Sequence, residues 1–173
     1  MGRLKRIVAW AGILALLLAV ALPAARPAAQ SLGPETNLPL PRYVSLRSAE
    51  VNVRRGPGLD YRIDWVFRRA GLPVRIVAEY RDWRKIADSE NAGGWVYHAL
   101  LTRYRTALVT EPLVTLREKP TSDAAATARA ERGVVAALRQ CEADWCELQV
   151  EGTRGWVRKA AIWGVEPDEV FGR

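Results

Sequence analysis

The chain has 173 residues, with 26 Lys and Arg against 19 Asp and Glu, and a formal net charge of +7. Four of the cations lie in the first thirty residues, where there is no acid, so the remainder has 22 basic and 19 acidic residues. This small excess affects solubility and excludes the strongly basic balance of nucleic-acid-binding proteins. The apolar fraction of 49% is ordinary for a globular protein, so disorder is not the default expectation.

The N-terminus has the order of a secretory signal peptide. Arg3, Lys5 and Arg6 precede an apolar run of 16 residues, 7–22, and small residues follow it. The run is shorter than the ~20 residues that span a bilayer comfortably. We therefore predict a signal peptide over residues 1–31, a periplasmic or otherwise exported protein, and contact with the membrane only during export. An uncleaved N-terminal anchor is the alternative.

Residues 32–41 follow, with Pro34, Pro39 and Pro41 and little periodicity. Proline-rich segments of this kind favour extended linkers, so we predict a linker here.

Residues 42–104 have the pattern of a small β domain. Apolar residues alternate at 51–53 and 74–77, and two further short strands are predicted at 83–87 and 95–97. Gly and Pro separate them with turn signals, and no helical period intervenes. Four or five short strands at this spacing predict a small sandwich or barrel.

Residues 105–166 repeat this pattern, and a short tail, 167–173, follows. Asp82-Trp83-Arg84-Lys85-Ile86 and Gly94-Trp95-Val96 recur as Asp144-Trp145-Cys146-Glu147-Leu148 and Gly155-Trp156-Val157. The offset drifts only from 63 to 61 residues, which confines insertions to loops. Residues 123–132 are rich in Ala, but their counterpart shows no helical face, so a loop with a short strand is predicted.

The motifs resemble a known family. Val-Asn-Val-Arg-x-Gly-Pro-Gly at 51–58, Trp83-x-x-Ile86 and Gly-Gly-Trp-Val at 93–96 are similar to the bacterial SH3 (SH3b) domain. The resemblance implies an all-β fold of two tandem SH3-like small β-barrels, each with about five short strands. The second copy has Lys119 in place of Gly56 and Thr121 in place of Gly58, so its first loop is expected to differ in shape.

Strand parity assigns the tryptophans to faces. Cys146 and Leu148 share the apolar face, so Trp145 points to the other side of its strand. Ile86 points inward in the same way, which turns Trp83 outward. An outward Trp near a loop is a candidate ligand platform. The alternative is that both rings cap the end of their barrel.

The resemblance implies that a Trp at this position borders a ligand groove. In the first domain the groove would be lined by Trp83, Tyr97 and Leu100, with Arg54, Arg55 and Tyr61 in the opposite loop. The second groove would have Trp145, Arg158 and Ala161. Trp95 and Trp156 are expected to pack against the sheet or the domain interface.

The two units differ in charge. Residues 42–104 have a net charge of +5 and residues 105–173 a net charge of −1. The first unit is expected to attract an acidic partner, such as a wall-peptide carboxylate, unless its arginines are simply solvated.

Cys141 and Cys146 are the only cysteines. In an exported protein an even pair predicts a disulfide, here at positions that align with a possible Glu79–Arg84 ion pair. Two thiolates are too few for a zinc site, so no metal or cofactor is predicted. His98 is the only histidine and is expected to be solvated. Without a nucleophile–base set or paired carboxylates, no enzymatic activity is predicted.

We therefore expect an exported, non-catalytic binding module whose tandem domains engage peptidoglycan peptides or glycans, mainly through the aromatic groove of the first domain. The alternative is a protein–protein adaptor in an envelope complex with no wall binding.

Overall fold

The computed structural model describes residues 31–172 and confirms an all-β protein with two tandem SH3-like units. Apart from Ser31, the predicted signal peptide lies outside the described residues. Within 31–172 no helix is long and apolar enough to cross a membrane. The helical segments of this range are two short 3₁₀ turns, His98–Leu100 and Lys159–Ala161.

The first domain is an antiparallel sheet of seven strands, preceded by a two-stranded hairpin. In chain order the strands are β1 (Ser31–Leu32), β2 (Pro39–Leu40), β3 (Arg42–Leu46), β4 (Val51–Arg54), β5 (Ile63–Phe67), β6 (Pro73–Tyr80), β7 (Trp83–Ala87), β8 (Gly93–Tyr97) and β9 (Leu101–Thr102). β1 pairs with β2, and the sheet has the spatial order β5-β4-β8-β7-β6-β3-β9.

The second domain repeats this arrangement. Its strands are β10 (Thr106–Val109), β11 (Leu113–Arg117), β12 (Ala126–Glu131), β13 (Val135–Cys141), β14 (Trp145–Val150), β15 (Thr153–Arg158) and β16 (Ile162–Trp163). Their order, β12-β11-β15-β14-β13-β10-β16, is that of the first sheet. Each sheet has seven strands rather than about five, since short strands at both ends of each unit also pair. The Ala-rich segment forms β12, as predicted, and not a helix.

Each domain has one hydrophobic core. In the first, buried residues from β3, β4, β6, β7, β8 and β9 form a single cluster, which a flat sheet cannot bring together, so the sheet curls around its core. The residues predicted to point inward are buried: Ile86 is 1% exposed and Cys146 and Leu148 are 0% exposed. Removing this apolar surface from water is the main stabilising term.

The segment predicted to be a linker, residues 32–41, is instead part of the first domain. Its backbone closes a tight turn, with Gly33 N donating to Leu38 O at 2.8 Å and Asn37 adopting a positive φ of 55°. Leu40 is 7% exposed and belongs to the first core. The linker prediction was wrong because the partners of this segment lie about forty residues away and leave no local periodicity.

The predicted tail, residues 167–173, also packs against its domain as far as it is described. Cys141 and Phe171 exchange two backbone hydrogen bonds, of 3.0 and 3.2 Å. The buried Lys159 Nζ donates to Glu169 O at 2.7 Å, and Arg105 pairs with the Glu169 carboxylate at 2.6 Å. Burial raises the pKa of Glu169, but the hydrogen bonds from Arg105 and from the backbone N–H of Glu166, together with the charges of Arg105 and Lys159, outweigh burial and lower it.

The two domains are in contact. Thr106 Oγ1 donates to Gly71 O at 2.6 Å. A hydroxyl has one proton, so Ser45 Oγ is the donor in its 2.7 Å contact with Thr106 Oγ1. Tyr43 and Trp163 meet edge to face at 5.0 Å. Ser45 and Thr106 are buried, so these hydrogen bonds form away from water.

Candidate ligand-binding surface of the first domain

The hairpin of β6 and β7 places Trp83 on the surface of the sheet. Tyr80 pairs with Trp83 across a two-residue turn, and Trp83 pairs with Tyr97 of β8. Arg81, in the turn, has a positive φ of 49°. Its N–H donates to a carboxylate oxygen of Glu35 at 2.8 Å, so the N-terminal hairpin supports this turn.

Three rings in contact, those of Trp83, Tyr97 and His98, together with Tyr80, which pairs with Trp83 across the turn, are called the aromatic cluster. Trp83 and Tyr97 meet edge to face at 5.8 Å, and Tyr97 and His98 lie 4.9 Å apart. Tyr80 is 46% and Tyr97 41% exposed, while Trp83 is half-buried. Because Trp and Tyr combine a large apolar area with a polar donor, this surface suits a ligand with both characters.

Other residues predicted for the first groove have different contacts. Leu100 is partly buried and packs against the core. Arg54 Nη1 donates to two carbonyl oxygens of the following loop, those of Leu59 at 2.9 Å and Tyr61 at 2.7 Å. Arg117 makes the equivalent bond to Ala124 O, also at 2.7 Å. Since both copies use this arginine to shape the loop after the strand, its contacts are structural.

Arg55 and Tyr61 belong to the same loop. Arg55 Nε lies 3.5 Å from the Asp64 carboxylate. The Tyr61 ring lies so close to Gly56 that a Cβ at that position would collide with it. The second copy has Lys119 and Ala124 at these two positions, which is why its loop does not hold an aromatic ring in this way. Of the six predicted residues, Trp83 and Tyr97 are the pair whose rings meet, whereas Arg54 contacts Tyr61 through its backbone oxygen within the loop.

In the second domain an arginine replaces the tyrosine beside the equivalent tryptophan, and Trp83 and Trp145 are both half-buried. Arg158 pairs with Trp145 across β14 and β15, and its guanidinium carbon lies 4.7 Å from the centre of the Trp145 ring. This cation–π contact occupies one face of the ring. Ala161 packs against the core. Trp156 is 7% exposed, as expected for a packing residue.

A buried carboxylate, Glu79, fastens the N-terminal hairpin beside the aromatic cluster. It accepts hydrogen bonds from Thr36 Oγ1 at 2.7 Å, from Arg42 Nη2 at 2.6 Å and from the backbone N–H groups of Glu35 and Thr36. Arg84 Nε lies 3.5 Å away, so the predicted ion pair is present. Burial of the carboxyl group raises its pKa, but these hydrogen bonds outweigh burial and lower the pKa to about 2.

The second domain has a disulfide at the equivalent positions. Cys141 pairs with Cys146 across β13 and β14, as Glu79 pairs with Arg84, and the predicted Cys141–Cys146 bond is confirmed. Among residues 31–172 no group of three or more His, Cys, Asp or Glu side chains is placed to hold a metal ion.

Sequence reasoning missed two members of the aromatic cluster. Tyr80 joins it because a two-residue turn places it opposite Trp83, a pairing that Arg81-Asp82 between two apolar runs signals. His98 was expected to be solvated, and it is exposed, but it also packs on Tyr97. Its equivalent, Lys159, is buried.

Three known proteins are similar to this chain. A protein of Bacillus subtilis (strain 168) named as an N-acetylmuramoyl-L-alanine amidase, YrvJ, is 27% identical over 119 residues, which cover 62% of this chain and 23% of that protein. The chain thus spans about a quarter of the length of this relative. The structures of NlpC1 and NlpC2 from Trichomonas vaginalis align at 10% identity with a TM-score of 0.34, over 76% and 70% of this chain and 49% and 47% of theirs.

The profile of the bacterial SH3 domain matches the chain twice, at residues 47–102 and 110–164. These ranges are the two seven-stranded sheets without their first strands. The chain therefore belongs to the bacterial SH3 domain family, with two copies of the domain in tandem.

Proposed function

We propose that this protein is an exported, non-catalytic binding module that engages cell-wall peptides or glycans through the aromatic cluster of its first domain. The observation that carries the proposal is the difference between the two domains. In the first, the exposed ring of Tyr97 stands beside Trp83, whereas in the second the guanidinium group of Arg158 takes the place of that ring and lies over the equivalent Trp145. Exposed aromatic side chains are the commonest anchors of binding surfaces because they bury much area at a low entropy cost.

The relative named as an amidase supports a ligand in the cell wall. Its name refers to the N-acetylmuramoyl-L-alanine bond, and the match covers 62% of this chain but only 23% of that protein. The shared part is therefore small in that protein, and a binding role for it beside a wall-cleaving activity is consistent with the family. A signal peptide over residues 1–31 would take the chain to that location.

The contacts of the potentially reactive side chains support a role without catalysis. Cys141 and Cys146 are joined, so neither is a free thiolate. His98 Nε2 lies 3.7 Å from Asp82 Oδ1, too far for a hydrogen bond, and its ring packs on Tyr97. The Glu79 carboxylate is occupied by its hydrogen bonds.

A protein–protein adaptor is the second candidate. β5 (Ile63–Phe67) lies at the end of the strand order and pairs with β4, so its outer edge is available for strand addition by a partner. Ile63, at the start of this edge, is 41% exposed. An adaptor of this kind would bind through backbone hydrogen bonds and would not need the aromatic cluster.

Co-sedimentation of the purified full chain with isolated sacculi tests the proposal. We expect Trp83→Ala and Tyr97→Ala each to weaken binding about tenfold, the loss typical of an aromatic anchor. Trp145→Ala is the matched comparison and Leu113→Ala the control for an exposed apolar residue outside the cluster; both should change binding less than about twofold.

Two outcomes would count against the proposal. If the chain remains in the supernatant at low salt, it has no wall ligand. If Trp83→Ala does not change binding, the ligand is not held by the aromatic cluster, as expected for a partner bound through β5. If Trp83→Ala lowers the melting temperature of the first domain instead, Trp83 caps the barrel. Tyr97→Ala then decides whether the cluster binds, because Tyr97 is 41% exposed and its removal leaves the core intact.

A further inference from the structure

A cationic pocket of about 480 Å³ opens next to the aromatic cluster. One wall is the N-terminal hairpin, through Thr36 and Leu38, and the opposite wall is the link between the domains. Five basic side chains line it, and no Asp or Glu does: Arg42, Arg47, Arg84, His98 and Arg103. His98 belongs to both the pocket and the aromatic cluster, so the two surfaces adjoin.

The floor of the pocket is apolar. Val44, Ile76 and Leu101 contribute to it, and each is a core residue with at most 7% of its surface exposed. Charges above such a floor interact more strongly than they would in water because the local dielectric is lower.

The positive charge of the pocket is only partly neutralised. Arg42 and Arg84 share one carboxylate, that of Glu79, which leaves one positive charge in excess. Arg47 and Arg103 are exposed, and among the described residues neither has an acidic side chain within ion-pairing distance. The pocket therefore presents two exposed arginines, Arg47 and Arg103, beside a group of Arg42, Arg84 and Glu79 that carries one positive charge in excess.

The second domain does not reproduce this charge. Arg47 N donates to Leu100 O as Thr110 N donates to Ala161 O, so Thr110 stands where the first domain has Arg47. Cys146 stands in place of Arg84 by the same strand pairing. By the register of the last strand in each sheet, Gly164 of the second domain is equivalent to Arg103 of the first. Arg47, Arg84 and Arg103 are thus a property of the first copy, whereas Arg42 and His98 have basic equivalents, Arg105 and Lys159, in the second.

We propose that the cationic pocket binds a carboxylate of an acidic peptide whose apolar part rests on the aromatic cluster. The guanidinium group holds a carboxylate through two parallel hydrogen bonds, and the apolar floor accepts the aliphatic carbons beside it. This inference rests on the proposed function, since it names the chemical class of ligand for the same face of the first domain.

Calorimetric titration of the full chain with the wall tripeptide L-Ala-γ-D-Glu-meso-diaminopimelate tests the pocket. We expect Arg47→Gln and Arg103→Gln each to weaken binding about fivefold, because each removes one charged hydrogen-bond donor from a partly exposed site. Arg47→Lys keeps the positive charge but removes the two parallel N–H donors of the guanidinium group, so we expect binding to weaken about twofold. Replacing the carboxylates of the tripeptide by carboxamides should remove the binding that depends on these arginines.

Arg68→Gln is the matched control. Arg68 belongs to the same domain, its side chain is 77% exposed, and it lies outside the pocket. The Arg68→Gln substitution therefore removes one positive charge from the same domain but not from the pocket. Equal effects of Arg68→Gln and Arg47→Gln would overturn the pocket in favour of long-range attraction. Equal binding of the amide form, or unchanged binding by both pocket variants, would also overturn it. Binding of glycerol phosphate in place of the tripeptide, with the same arginine dependence, would show a phosphate site instead.

The pocket and the proposed function fail in different ways. Sacculus binding that needs Trp83 but not Arg47 or Arg103 would leave the proposed function standing and reject the pocket. Arg47-dependent binding of the tripeptide without sacculus binding would reject wall engagement and retain the pocket. Both arginines are exposed, so their substitution is expected to leave the melting temperature unchanged.

Discussion

Glu79→Gln should release the N-terminal hairpin and destabilise the first domain. The substitution removes the charge that Arg42 and Arg84 share and weakens the acceptor for the hydrogen bonds of Thr36. Both guanidinium groups would then lie partly buried without a counter-charge, a situation that is far more costly than the absence of the whole ion pair.

The magnitude follows from the pKa of Glu79. Burial raises this pKa, but the hydrogen bonds from Thr36 and Arg42 and from two backbone N–H groups outweigh burial and lower it from 4.5 to about 2. A difference of this size corresponds to about 3 kcal/mol of folding free energy. Because the pKa is lower in the folded state, the contribution is complete well above the unfolded pKa and is lost as the pH falls toward 2. At pH 3 about 1 kcal/mol remains.

Urea titrations of the wild type and Glu79→Gln at pH 7 and pH 3 measure this difference. Hydrogen-exchange mass spectrometry as the readout separates peptides of the first domain from those of the second. We expect a difference of about 3 kcal/mol at pH 7 and about 1 kcal/mol at pH 3, with the fastest exchange in residues 31–40 of the variant. Glu50→Gln, at a side chain that is 66% exposed, is the control and should cost under about 0.5 kcal/mol.

The reasoning is refuted if the variant and the wild type differ equally at both pH values. A loss of stability that does not change with pH would mean that Glu79 acts through its shape and not through its charge. Unchanged exchange in residues 31–40 would show that other contacts hold the hairpin.

Two further predictions concern the second domain and the interface. Replacing Cys141 and Cys146 together by Ala should lower the free energy of unfolding of the second domain by about 2 kcal/mol, because the unfolded chain regains the entropy of a short closed loop. Hydrogen exchange in the first domain should not change, and an equal loss of stability in both domains would contradict the prediction. Thr106→Val should cost about 1–3 kcal/mol, because Ser45 and the Gly71 carbonyl lose a buried partner. Calorimetry measures this loss of stability, and Thr115→Val, at a half-buried position of β11, is the control. Equal losses of stability in the two variants would mean that the hydrogen bonds between the domains contribute nothing.

The repeat allowed much of the fold to be predicted. Two copies at a nearly constant offset separate the recurring strands from the loops, and strand parity placed Ile86, Cys146 and Leu148 in the cores correctly. The Cys141–Cys146 bond was predicted from an even pair of cysteines in an exported protein, and the alignment of the copies placed the two positions across a hairpin. These features depend on neighbours along the chain or on its own duplicate, which a single sequence contains.

The candidate site could be predicted only where it depends on local pattern. Strand parity turned Trp83 outward, and the resemblance to the bacterial SH3 domain implied that Tyr97 lies in the same groove. The N-terminal hairpin could not be predicted in this way, because its partner Glu79 lies more than forty residues away. The sequence near Thr36 contains no pattern that indicates this contact. The cationic pocket was missed for the same reason. Arg47 and Arg103 look like ordinary surface residues until the fold places them together.

The separation between the N-terminal hairpin and its anchor also sets an order of assembly. Thr36 and Glu79 are 43 residues apart, whereas Cys141 and Cys146 are separated by only 5. Closing the longer loop loses more chain entropy, so we expect residues 31–40 to dock after the local hairpin of β6 and β7 has formed. The segment of the described chain that is synthesised first would then be among the last to reach its place in the first domain, where it completes the wall of the cationic pocket.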